Sequence, residues 1–226
     1  MAKVSVIIPA AGSGRRFGAR ESKILQPIGG RPVFLRSVDA FAAREDVCEI
    51  QLVLSAADAG EVARRFAGEL KAVGVRLIAG GPTRSQSVRG ALAGVSEDAE
   101  LVCVHDAVRP CVRPEWIDAV FAQAHRTGAA ILACPLHGTI KRARPDGVIA
   151  ETLCRDGLWE AQTPQVFRRD ILLAAYARGT DATDDAELVQ AGGHPVTVVA
   201  CDRRNVKITT PADLRFARAV FDSLQQ

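Results

Sequence analysis

A chain of 226 residues with 48% hydrophobic and 24% charged residues can build a sizeable core, which excludes a largely disordered or fibrous protein. Its 29 Lys and Arg against 26 Asp and Glu leave a formal net charge of +3, too weak and too evenly spread for a nucleic-acid footprint. The six cysteines (Cys48, Cys103, Cys111, Cys134, Cys154 and Cys201) form no C-x-x-C pair and no zinc-spaced cluster, so reduced, mostly buried thiols are expected.

The first strand is predicted at Val4 to Pro9. Pro9 and the glycines from Gly12 to Gly18 interrupt the apolar stretch after Lys3, so no export signal is expected. No apolar run approaches the ~20 residues that span a bilayer, and a cytoplasmic protein with no membrane partner is expected. The spacing of Val33, Leu35, Val38 and Phe41 predicts a helix over Pro32 to Arg44, followed by a strand at Glu49 to Leu54 and a helix over Asp58 to Val73. A short strand at Val75 to Ile78, a helix from Thr83 to Val95, a buried strand at Leu101 to Val104, a proline-started helix over Pro114 to Arg126 and a strand at Ala129 to Cys134 continue the alternation. This βα rhythm predicts an α/β fold, a mainly parallel Rossmann-like sheet with helices on both faces.

The rhythm breaks between residues 136 and 160. Thr139 to Arg142 and Val148 to Leu153 flank the turn Arg144-Pro145-Asp146-Gly147, which predicts a β-hairpin. A lone two-stranded hairpin is marginal in water, so this arm is expected to pack on a second subunit. Helices near Arg169 to Ala177 and Asp184 to Ala191, a strand at Pro195 to Ala200 and a helix from Pro211 complete one expected domain over residues 1–226.

The loop Pro9-Ala10-Ala11-Gly12-Ser13-Gly14-Arg15-Arg16-Phe17-Gly18 follows the first strand, at the edge where open α/β sheets bind ligands. Small residues allow backbone N–H groups to approach an anion, and Arg15, Arg16 and then Lys23 supply cations, so the loop reads as a triphosphate cradle. Phe17 breaks the G-x-G-x-x-G fingerprint and no G-K-[ST] follows, which disfavours a dinucleotide oxidoreductase and a Walker loop. The strand ending in His105-Asp106 points these two side chains to opposite faces. Asp106 is expected to address the ligand, holding Mg²⁺ against phosphate oxygens, and His105 to be a hydrogen-bonded structural group. Arg109, before Pro110, sits near a second phosphate on this reading. Thr183-Asp184-Asp185-Ala186-Glu187 reads as a helix N-cap in preference to a metal site.

PAAGSGRRFG, SKILQPIGGRPV, GGPTRSQSV, VHDAVRP, LWEAQTPQVF, TDDA and NVKITTPADL, in this order and nearly end to end, resemble the 2-C-methyl-D-erythritol 4-phosphate cytidylyltransferase family. The resemblance implies a fold of the nucleotide-diphospho-sugar transferase type with a dimerisation arm at 136–160. It also implies transfer of CMP from CTP to a sugar-alcohol phosphate, with release of pyrophosphate, in non-mevalonate isoprenoid synthesis. By motif, Arg16 and Lys23 resemble the cations that stabilise the α-phosphate, and Asp106 the Mg²⁺ ligand. Ala10, Ala11, Gly12, Gly81 and Ser87 look like the cytidine pocket. Thr139 and Arg155 resemble residues reaching the acceptor phosphate of the other subunit's site, with Arg109 and Thr163 as companions, and Lys207 resembles the residue that positions the acceptor. Ile24 stands where the family often has glutamine and Pro82 where it often has an acid. The nearest rival reading is a cytidylyltransferase for another polyol phosphate, such as ribitol 5-phosphate, because the donor loop would look the same.

Overall fold

In a computed structural model, which describes residues 2–12, 17, 22–180 and 182–224, the chain folds around one seven-stranded sheet. Chain order runs β1 (Val4–Ala10), α1 (Val33–Ala42) after a two-residue pairing of β2 (Pro27–Ile28) with β3 (Arg31–Pro32), β4 (Val47–Leu54), α2 (Ala56–Ala72), β5 (Val75–Ala79) and α3 (Arg84–Leu92). It continues through β6 (Leu101–Val104), α4 (Pro114–Thr127), β7 (Ala129–Pro135), β8 (Ile140–Ala143), β9 (Ile149–Leu153) and β10 (Trp159–Arg168). Helices α5 (Arg169–Ala177) and α6 (Asp185–Ala191), strand β11 (Thr197–Ala200) and helix α7 (Pro211–Leu224) complete it.

The sheet order is β11-β7-β10-β6-β1-β4-β5. All its neighbours pair parallel except β10, which lies antiparallel between β6 and β7. The two faces are both covered. Val4, Val6, Ile8 and Ala10 of β1 join one apolar cluster with α1, α2, α4 and α7, while Ile7 joins a second with α3, α5 and α6. A strand buried on both sides reads as a continuous apolar run, which is why VSVII lacks polar alternation.

Two sequence expectations need correction. Strand β10 is absent from the predicted elements, and its first residues, Trp159 and Glu160, pair with Pro135 and Cys134 of the main sheet instead of belonging to the arm. The arm proper is the separate β8–β9 ladder, from Ile140↔Leu153 to Ala143↔Ile149. All six cysteines are unpaired; four are buried, Cys48 and Cys154 being exposed. Among the described residues no helix is long and apolar enough to cross a membrane.

Candidate active site

A cavity of about 520 Å³ opens where β1, β5 and β6 end at the carboxyl edge of the sheet. Three chain turns build its wall: Pro9 to Gly12 after β1, Pro82 to Arg84 after β5, and Asp106 with Val108 after β6. Lys23, Ile24, Ser87, Lys207 and Thr209 complete the lining. Ala10, Ala11, Gly12, Lys23, Ser87, Asp106 and Lys207 therefore converge, although Ala10 and Lys207 are 197 positions apart in sequence (207 − 10).

The β5–α3 turn approaches the β1 loop closely. A Cβ on Gly80 would lie 2.5 Å from the Ala11 Cβ and 2.9 Å from the Leu54 carbonyl oxygen, so only glycine fits there without a shift. Helix α3 starts with a capping box, Thr83 Oγ1 accepting from Gln86 N–H and the Gln86 side chain accepting from Thr83 N–H. Ser87 Oγ accepts from Gly81 N–H at 3.0 Å and donates to the Thr83 carbonyl at 2.8 Å. Gly81 thus supports the wall through Ser87 and does not itself line the cavity.

Asp106 is the electrostatic centre. It is 5% exposed, and three cations meet its carboxylate: Lys207 Nζ at 2.8 Å from Oδ2, Arg84 Nε at 3.4 Å from Oδ1, and Arg109 Nε at 3.6 Å from Oδ2. Burial alone disfavours its charge, but Arg84, Lys207 and Arg109 outweigh that and hold the carboxyl well below the usual carboxylate range. The group is anionic at every physiological pH. Arg84 is kept charged by the same balance, burial opposing its charge while Asp185 and Asp106 raise its pKa.

Arg109 and Thr163 lie beneath this centre, 5% and 4% exposed, and neither lines the cavity. Thr163 Oγ1 accepts from Asp106 N–H at 3.0 Å, and Arg109 donates to the Asn205 carbonyl at 2.7 Å while Asn205 Nδ2 donates to the Thr163 carbonyl at 2.9 Å. His105 is fully buried, Nδ1 against Thr163 Oγ1 at 3.2 Å and Nε2 against the Arg109 carbonyl at 3.1 Å, and burial pushes its pKa down to about 4. Its ring is a neutral strut, as expected of a structural histidine. Asp184 accepts from Glu187 N–H as the cap of α6, again as expected.

Thr139 and Arg155 stand apart from the cavity, on the exposed arm, where Arg155 donates to the His137 carbonyl. Arg16, with Arg15, Gly14 and Gly18, falls outside the described residues. Two functional candidates escaped the sequence reading. Arg84 lines the cavity, and Asp185, which holds it, lies 101 residues away.

A divalent metal fits this donor set on chemical grounds. Asp106 supplies one hard carboxylate oxygen pair that stays ionised, and Mg²⁺ characteristically takes one or two carboxylates and draws the rest of its shell from phosphates and water. Among the described residues no group of three or more His, Cys, Asp or Glu side chains gathers as a metal cage, so a metal held by Asp106 would draw the rest of its shell from ligand oxygens and water.

The family model described as 2-C-methyl-D-erythritol 4-phosphate cytidylyltransferase (IspD) matches residues 4–223. The enzyme of that description from Rhodopirellula baltica is 45% identical over 234 residues, spanning 98% of this chain and 96% of the relative. The one from Frankia casuarinae is 42% identical over 220 residues, spanning 96% and 81%. Among solved structures, 2-C-methyl-D-erythritol 4-phosphate cytidylyltransferase from Thermus thermophilus superposes with a TM-score of 0.79 at 33% identity, covering 97% of this chain and 99% of that one. The 4-diphosphocytidyl-2C-methyl-D-erythritol synthase of Anaerococcus prevotii gives 0.80 at 29% identity, covering 100% and 99%.

Proposed function

The chain belongs to the 2-C-methyl-D-erythritol 4-phosphate cytidylyltransferase family, and from that membership we propose how its residues divide the work. The protein is a nucleotidyltransferase that moves CMP from CTP to 2-C-methyl-D-erythritol 4-phosphate in the non-mevalonate pathway. The observation that carries the mechanistic reading is the ionised, buried Asp106 at the tip of β6, facing a cavity that Lys23, Arg84 and Lys207 also line.

The acceptor is a phosphate monoester, already anionic at neutral pH, so no general base is needed to make it a nucleophile. The barrier lies in bringing two phosphate anions together. At ~4 Å and an effective dielectric near 20, one pair of unit charges costs about 4 kcal/mol. Lys23, joined by Arg16, seven residues before it in sequence, neutralises the α-phosphate as charge develops on it. The Ala10–Gly12 backbone and the segment carrying Gly81 and Ser87 hold the cytidine; Pro82 has no N–H, so a base contact from that position uses its carbonyl or comes from Gly81 instead. Lys207 holds the acceptor in line with the α-phosphorus. Asp106 would hold Mg²⁺, which would supply a further two positive charges against the triphosphate. Thr163 and Arg109 keep Asp106 and the Asn205–Lys207 segment in register from beneath, serving the acceptor through them.

Arg155 and Thr139 reach the acceptor of a neighbouring site in a homodimer joined through the arm. The solvent-facing Val148 (49% exposed), Ile149 (59%) and Trp159 (42%) support this reading, being apolar surface that a second copy would cover. Six unpaired thiols support a reducing compartment, the cytoplasm.

The test is pyrophosphate release from CTP and Mg²⁺ with a panel of polyol phosphates. Turnover with 2-C-methyl-D-erythritol 4-phosphate and none above background with ribitol 5-phosphate is expected; equal kcat/KM for the two would overturn the acceptor assignment.

A further inference from the structure

Behind the cavity wall lies a second carboxylate that the proposed reaction does not use. Asp185, at the start of α6, is 0% exposed. Its Oδ1 accepts from the Tyr176 hydroxyl and its Oδ2 from Arg84 Nη2 at 2.7 Å. The backbone that carries this carboxylate is anchored too, because the N–H groups of Asp185 and Ala186 donate to Gln165 Oε1, both at 3.1 Å, on β10. Arg84 is thereby shared between two acids. It is closely bonded to Asp185 and only loosely to Asp106, whose Oδ1 it approaches to 3.4 Å through Nε. The other oxygen of Asp106 is engaged by Lys207 at 2.8 Å.

We propose that Asp185 is a positioning residue which, by holding Arg84 back, leaves the Asp106 Oδ1 lone pairs available to a divalent cation. This rests on the reading of Asp106 as the metal-binding carboxylate. Without the Asp185 charge, Arg84 has a single acid left within reach and closes on Oδ1, where a guanidinium and a metal ion compete for one oxygen. Tyr176 contributes from one step further out, by fixing Asp185 Oδ1. Partners that orient a metal ligand in this way commonly alter metal affinity by about 10- to 100-fold when removed.

The experiment titrates the full-length protein with Mn²⁺ in the presence of CTP and without acceptor, following bound metal by electron paramagnetic resonance, beside a Mg²⁺ titration of turnover. Asp185→Asn is expected to raise the half-saturating metal concentration about tenfold and Tyr176→Phe about threefold, with kcat at saturating metal within about threefold of wild type. In an Arg84→Gln background, Asp185→Asn is expected to add no further shift, because its effect runs through Arg84. A purely structural Asp185 would lower the thermal midpoint while leaving half-saturation in place, and an additive shift on Arg84→Gln would show that it acts by another route; either result overturns the inference. Asp106→Asn separates this from the underlying reading. If Asp106→Asn weakens Mn²⁺ binding while Asp185→Asn and Tyr176→Phe do not, the inference fails alone; if Asp106→Asn leaves it unchanged, the metal assignment fails.

Discussion

At the scale of single residues, the site works by charge placement, and the contrast between neighbours His105 and Asp106 shows how. Adjacent just beyond the end of β6, they sit in different surroundings; burial keeps the imidazole neutral, while three surrounding cations keep the carboxylate charged. Lys23 lines the same cavity as Asp106, its Nζ 4.0 Å from where a Gly12 Cβ would sit, which places an ammonium beside the backbone that follows β1. Its charge matters most when negative charge builds on the α-phosphate, so Lys23→Ala removes transition-state stabilisation in preference to ground-state binding. Steady-state kinetics should show kcat reduced about 10²- to 10³-fold with the KM for CTP within about threefold. A loss confined to KM would assign Lys23 to substrate binding alone.

Among elements, the decisive contact is between the β1 loop and the β5–α3 turn, and two glycines in one neighbourhood separate space from flexibility. Gly80 has no room for a methyl group, whereas Gly90, inside α3, has nothing within 4 Å of a Cβ. Gly80→Ala therefore has to push Ala11 and the Leu54 carbonyl apart, widening the cavity wall. Gly90→Ala only improves helix propensity, by about 0.5–1 kcal/mol. Thermal unfolding should give a lower midpoint for Gly80→Ala and a higher one for Gly90→Ala, and the KM for CTP should rise about tenfold only for Gly80→Ala. Equal effects would mean that the close approach has no functional weight. The same elements show what sequence reading reaches. Strands β1 and β6 and the turns after them were legible because apolar runs ending in PAAG or HD are local patterns. Strand β10 was not, since its middle, Gln162-Thr163-Pro164-Gln165, looks like a loop. Those polar groups are buried because they serve other elements: Gln165 supports the start of α6, and Thr163 accepts from the Asp106 N–H. The pairing of Arg84 with Asp185 was equally hidden, because the 101 residues separating them leave no periodic trace.

For the whole molecule, the β8–β9 arm poses a problem that one chain does not solve. Its strands form a ladder of their own, apart from the seven-stranded sheet, and Ile149 stands 59% exposed beside Val148 at 49%. An isolated two-stranded ladder with exposed apolar residues is marginal in water and gains stability against another surface. In a two-fold dimer both copies lend an arm and both receive one, so each site would combine Lys23 and Asp106 of one subunit with Arg155 of the other. That arrangement predicts complementation. Arg155→Ala subunits retain an intact donor cavity and Lys23→Ala subunits an intact arm, so a mixed dimer contains one complete site and one doubly defective site. Reassociation of equal amounts should yield about half mixed dimers and hence about a quarter of wild-type turnover, although each parent alone is nearly inactive. Activity that stays at the average of the two parents after subunit exchange, with exchange verified by mass spectrometry of differently tagged chains, would mean that Arg155 serves the cavity of its own chain.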